Sequence, residues 1–203
     1  VSSKRVGLLG GAFNPPHAGH LRLAALALEH LGLDEVRFVP TACSPHKPAS
    51  ETDALQRLRL IEAALEGRDG CRVESIEVDR GGVSYTVDTL EALALREPGN
   101  AWIWLMGSDQ LEGFGTWKNG LRILELAALG IAPRPGWGRS VPDPLVGRQR
   151  ESWSGVPGEL VWLPSTELEL SSSDLRAGLA AGCIPEGLPI QVRAAIGREN
   201  LYR

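Results

Sequence analysis

With 203 residues, 43% of them hydrophobic, the chain is long enough to bury one full core, and one domain spanning 1–203 is expected. A formal net charge of −4 excludes bulk binding of nucleic acid, which needs a basic surface. No apolar run reaches the roughly 18 residues of a membrane span, and strand-like sequence near the first residue leaves no room for a signal peptide. Cys43, Cys71 and Cys183 are scattered and form no CxxC pair, which suits a reducing compartment. A cytoplasmic protein with neither membrane nor nucleic-acid partners is therefore expected.

In chain order, residues 5–10 read as a buried strand. Gly10 and Gly11 end it, where a residue without Cβ lets backbone come close to a ligand. Pro15 and Pro16 stiffen the turn and carry no N–H. The pattern is helical over 18–31, with Leu21, Ala25 and Leu28 as the expected apolar stripe. His17 and His20 then share one face of the first helical turn. Free N–H groups and the positive end of the helix dipole point the same way, which makes a phosphate site. Two histidines at this spacing also suit zinc, but four histidines in all and no CxxC leave the further ligands wanting.

A second strand is predicted over 35–40, a proline-braced loop over 41–52, and a helix over 53–66 with Leu55, Leu58, Ile61 and Leu65 inward. A strand over 71–78 follows, then a helix over 86–96 capped by Ser84 or Thr86. Residues 101–106 are apolar on both faces and predict a central strand, with another over 126–132. Dense proline and glycine predict an irregular segment over 133–158. A last strand over 160–163 precedes helices over 172–181 and 189–199. This alternation implies an α/β fold, a Rossmann-like doubly wound parallel sheet. Ligands of such sheets bind beyond the carboxyl ends of the strands. Three polar clusters, at 10–20, 40–47 and 107–117, each follow a strand end and should share one rim.

The stretch His17-Ala18-Gly19-His20 after a Gly-Gly strand end resembles the HxGH signature of the nucleotidyltransferase superfamily, related to class I aminoacyl-tRNA synthetases. Four further clusters match one branch of it, the bacterial nicotinate-nucleotide adenylyltransferases. They are the stretch Pro40 to Lys47, the Ser84-Tyr85-Thr86-Val87-Asp88-Thr89-Leu90 segment, the Gly107-Ser108-Asp109 stretch through Trp117, and Leu170-Ser171-Ser172-Ser173-Asp174-Leu175-Arg176. The set of five, in the family's order and spacing, is specific where each alone is weak.

The resemblance implies transfer of the adenylyl group of ATP to nicotinate mononucleotide, giving deamido-NAD and pyrophosphate, with Mg2+. It implies catalytic roles for His17, His20, Lys47 and Arg176. ATP contacts are implied at Gly10, Gly11, Ala12, Phe13, His17, His20, Gly107, Asp109, Arg134, Ser172, Ser173 and Arg176. Ala12, Phe13, Lys47, Tyr85, Thr86 and Trp117 are implied to hold the mononucleotide, with the indole on the pyridine ring. No protein side chain is assigned to metal, and His46 is read as structural. Taken alone, Lys47 is a solvated lysine, Asp109 a helix N-cap, and the serine run an N-cap followed by a surface arginine. Ala12 departs from the usual Ser or Thr, Asn14 from the usual Asp, and Lys118 from the frequent aromatic residue. Other readings are adenylyl or cytidylyl transfer to another phosphate, preference for nicotinamide mononucleotide, a silent nucleotide sensor and a zinc module.

Overall fold

Short apolar strands joined by amphipathic helices form a parallel sheet covered on both faces. The computed structural model describes residues 3–44, 52–166, 168 and 170–203. Its elements are β1 (Arg5–Gly11), α1 (Ala18–Leu31), β2 (Glu35–Pro40), α2 (Ala54–Leu65), β3 (Cys71–Val73), α3 (Ile76–Arg80), α4 (Thr86–Arg96) and β4 (Ala101–Gly107). There follow α5 (Ser108–Leu111), a 3-10 turn (Phe114–Thr116), α6 (Gly120–Leu126), β5 (Ala128–Ala132), β6 (Gln149–Arg150), β7 (Leu160–Trp162), α7 (Ser172–Ala180) and α8 (Ile190–Glu199). The strands lie in the order β3-β2-β1-β4-β5-β7-β6, and every neighbouring pair is parallel. The order reverses between β1 and β4, which opens a crevice at their carboxyl ends.

Alternation along the strands divides the core in two. Leu9, Phe38, Ile103 and Leu105 face α1, α2 and α8, while Val6, Leu8, Trp104 and Met106 face α4 and α6. Among the described residues no helix is long and apolar enough to cross a membrane.

Several sequence expectations are corrected. The strand predicted over 71–78 stops at Val73, and Ile76–Arg80 is helical. Its buried members are Glu74 and Glu77, three apart as on a helix. Their burial is satisfied, Glu74 by Arg37 and Glu77 by the Thr89 hydroxyl. Leu126, expected to open the strand over 126–132, instead ends α6, and β5 starts at Ala128. In α1 the inward residues include Leu21, Ala24, Ala27 and Leu31, whereas Ala25 is exposed. In α2, Leu55 is 58% exposed and the inward residues are Arg57, Leu60, Ile61, Ala64 and Leu65. The N-cap of α4 is Tyr85, neither Ser84 nor Thr86; the Ser84 hydroxyl instead accepts from the Ala42 N–H. The irregular segment 133–158 contributes edge strand β6 and pins itself with buried Leu145 and Trp153.

Candidate active site

The turn between β1 and α1 is built tightly. Phe13 has φ 47°, a left-handed conformation that aromatic residues rarely adopt. Its ring is buried, 5.5 Å from Phe38 and edge-on to His20 at 4.9 Å. The ring is core, so the ligand contact expected of Phe13 falls to its backbone.

His17 is the N-cap of α1 and His20 its third residue. Their rings lie 3.8 Å apart. The backbone N–H of His17 donates to Nδ1 of His20 at 3.2 Å, so a neutral His20 carries its proton on Nε2. His17 is 3% exposed and its Nδ1 has no hydrogen-bond partner among the described residues. Burial, reinforced by the charge of Arg134, pushes its pKa down to about 4. His17 is therefore a neutral imidazole at physiological pH.

Two clefts flank this turn. One, of about 540 Å³, is lined by His17, His20, Gly107, Arg134, Trp137 and Ser171, among others. The other, of about 390 Å³, is lined by Gly10, Gly11, Ala12, Tyr85, Thr86 and Trp117, together with Asp109 and Trp104. Gly107 sits where a Cβ would fall 2.3 Å from Oδ1 of Asp109 and 2.8 Å from Nε of Arg134. Its bareness lets that ion pair close at 3.2 Å across the end of β4.

Three expected phosphate contacts are turned elsewhere. Ser172 Oγ donates to the Pro15 carbonyl at 3.0 Å. Arg176 donates from Nη1 to the Asn14 carbonyl at 2.8 Å and from Nη2 to Ser173 Oγ at 3.3 Å. Here Ser172 and Arg176 brace the β1–α1 turn from α7, the Ser173 hydroxyl bonds only Arg176 among the described residues, and none of the three lines either cleft. Asp109 lies inside α5, whose N-cap is Gly107. Lys47 and His46 lie outside the described residues.

Some lining residues went unread in the sequence. Trp104, assigned to core packing, floors the second cleft beside Gly10. Glu77 lines it too, and burial pushes its carboxyl pKa up. Lys118, which also lines this cleft, grips both oxygens of Asp88 at 3.0 Å and lies 4.5 Å over the Tyr85 ring. Among the described residues no three His, Cys, Asp or Glu side chains are grouped to hold a metal ion.

Residues 8–178 match the family model described as Cytidylyltransferase-like. A Bordetella pertussis protein described as "probable nicotinate-nucleotide adenylyltransferase" is 38% identical over 201 residues, covering 98% of both chains. A Salinibacter ruber protein of the same description is 38% identical over 200 residues, covering 98% of this chain and 97% of its own. The chain belongs to the nicotinate-nucleotide adenylyltransferase family. Its fold agrees with a solved nicotinic acid mononucleotide adenylyltransferase of Plasmodium falciparum complexed with NaAD (TM-score 0.77, 17% identity, 98% and 97% of the two chains covered). The family resemblance carried by the five sequence clusters is thus borne out. For a nicotinate-nucleotide adenylyltransferase the arrangement is apt, with two clefts meeting at one Gly-Gly turn and helix N-terminus.

Proposed function

We propose that this enzyme transfers the adenylyl group of ATP to nicotinate mononucleotide, forming nicotinate adenine dinucleotide and releasing pyrophosphate in NAD biosynthesis. The observation that carries this reading is the pair of clefts on either side of the β1–α1 turn. We assign the triphosphate of ATP to the cleft of His17, His20 and Arg134, and the mononucleotide to the cleft of Tyr85, Thr86 and Trp117. The indole of Trp117 offers a face for the pyridine ring. The N-terminus of α4, where half-buried Tyr85 and Thr86 line that cleft, favours the nicotinate carboxylate.

The nucleophile is a phosphate oxygen that is ionised at neutral pH, so no general base is required. It attacks the α-phosphorus as the bond to the bridging oxygen breaks, and pyrophosphate leaves with that electron pair. What the protein supplies is alignment and stabilisation of the charge that builds on the leaving group. His20 Nε2–H donates to that charge, and loss of such a donor typically costs about 3 kcal/mol of transition-state stabilisation. Arg134 adds a cation, and the Gly11 to Phe13 backbone contributes N–H groups. Lys47 supplies a further charge to the reacting phosphates, and the α7 serines with Arg176 steady the turn that carries them. Magnesium belongs to the ATP substrate, as a hard cation drawing oxygen ligands from phosphates and water.

The test is pyrophosphate release by purified enzyme with ATP, magnesium and either nicotinate or nicotinamide mononucleotide. The acid should give the larger kcat/KM. Equal or reversed preference sinks the substrate assignment.

A further inference from the structure

Arg57 is an unusual residue to find inside α2. It is 4% exposed, yet among the described residues it makes no ion pair with a carboxylate. Its three hydrogen bonds among the described residues run to backbone carbonyls: Nη1 to Ala12 at 2.8 Å, and Nη2 to Thr41 at 2.7 Å and Ala42 at 3.1 Å. Ala12 lies in the β1–α1 turn, while Thr41 and Ala42 follow the end of β2. One guanidinium thus ties together the two loops that meet at the reaction site.

The direction of these bonds matters more than their number. In a trans peptide the carbonyl and the following N–H point opposite ways. With the Ala12 oxygen held against Arg57, the Phe13 N–H faces away from α2, and no acceptor among the described residues takes it. Ala12 itself lines the second cleft. The neighbouring Thr41–Ala42 peptide is clamped at both ends, its carbonyl by Arg57 and its N–H by the Ser84 hydroxyl at 3.1 Å.

The φ of 47° at Phe13 completes the argument. Flipping the Ala12–Phe13 peptide by half a turn carries φ of Phe13 to about −130°, the ordinary extended region. The same flip replaces the outward N–H with a carbonyl oxygen, which repels a phosphate. The observed orientation is therefore the strained one of two, and it persists because the surroundings hold it. The buried Phe13 ring fixes one side of the peptide and Arg57 the other.

We propose that Arg57 is a positioning residue, holding the Ala12–Phe13 peptide carbonyl-inward so that the Phe13 N–H faces the substrate phosphate. This rests on the reading above that the turn's backbone amides hold phosphate. Selective 15N-phenylalanine labelling gives three amide signals, since the chain has three phenylalanines. In the wild type, nicotinate mononucleotide or magnesium with α,β-methylene ATP shifts the Phe13 signal. In Arg57→Met that response is lost and kcat falls on the order of 100-fold, as expected for a misplaced donor. Millimolar guanidinium restores part of the loss. Arg57→Lys, which keeps the charge and can reach a carbonyl, falls between and serves where Arg57→Met fails to fold. A variant whose Phe13 signal responds like wild type, with kcat unchanged below its melting temperature, makes Arg57 a mere tie and overturns the proposal. A wild-type Phe13 signal silent to both ligands instead overturns the phosphate reading of this amide, and the proposal with it.

Discussion

The main-chain N–H of His17 reaches the side chain of His20, 3.2 Å away at Nδ1. Backbone geometry at the start of α1 thereby decides which nitrogen of a neutral His20 imidazole carries the proton. In the proposed reaction this leaves Nε2–H as the donor of a neutral His20, set by the fold rather than by the ligand. Such preorganisation is what makes a donor effective on developing charge.

His20→Ala should therefore lower kcat by about 100- to 1000-fold while shifting the KM for ATP only a few-fold, because the contact strengthens as the leaving group gains charge. Steady-state kinetics with ATP varied at saturating mononucleotide measures the split. A change confined to KM contradicts the role.

His17 makes a prediction about acid stability. Its pKa of about 4 in the fold lies below the ordinary 6.5, chiefly because burial disfavours the charged ring. The unfolded chain thus binds a proton that the native state refuses between those values. Stability is complete above pH 6.5 and falls as pH drops towards 4, by about 3 kcal/mol for this group. His17→Asn keeps a good N-cap and removes the titration. Urea unfolding at pH 7 and pH 4 should show the variant losing less stability than the wild type. Identical losses would refute the assignment to His17.

How much of this was legible in the sequence depended on whether burial followed hydrophobicity. β1 and β4 were readable because they are short, mainly apolar runs, as a central parallel strand requires, and β2 by its apolar Val36, Phe38 and Val39 despite the charged Glu35 and Arg37. The histidine pair was readable because a Gly-Gly strand end and a helical period fix where α1 begins. The turn from β3 into α3 was not, since the residues that bury there are Glu74 and Glu77, whose partners Arg37 and Thr89 come from β2 and α4. Arg57 hid for the same reason: its acceptors are loop carbonyls, which no side-chain pattern announces. One signal was present, because Arg57 lies three and four residues before Leu60 and Ile61 on the inward stripe of α2. Ser172 and Arg176 were placed on the correct helix, but a serine run cannot reveal that its donors turn to the Asn14 and Pro15 carbonyls.

Gly10 and Trp104 supply a test of the second cleft. A Cβ at Gly10 would fall 2.3 Å from the indole Cζ2 of Trp104, which is 4% exposed on β4. Gly10→Ala must push the ring aside, and overpacking of this kind costs about 1–3 kcal/mol. Because the ring floors the cleft, the KM for the mononucleotide should rise more than that for ATP. Thermal unfolding and two-substrate kinetics check both halves. A variant with lowered stability and an unchanged mononucleotide KM would show that Trp104 is core alone.

The ion-pair cluster around Arg37 predicts the opposite pattern, lost stability without lost chemistry. Arg37 is 1% exposed and bonds Glu35 at 2.7 Å, Glu74 at 3.1 Å and Glu97 at 2.6 Å, with the Trp102 ring 5.2 Å away. Its guanidinium holds the Glu97 carboxyl down at about pKa 2. Arg37→Met strips the cation from several carboxylates at once, and breaking such a buried set from one side costs about 3–5 kcal/mol. None of these residues lines either cleft, so kcat measured well below the melting temperature should match wild type. Adding Glu97→Gln to Arg37→Met should recover part of the stability, since it removes one carboxylate that then keeps only the more exposed Arg96 at 3.1 Å as its cation. If the double variant is instead less stable than the single one, repulsion among the carboxylates is not what Arg37 relieves.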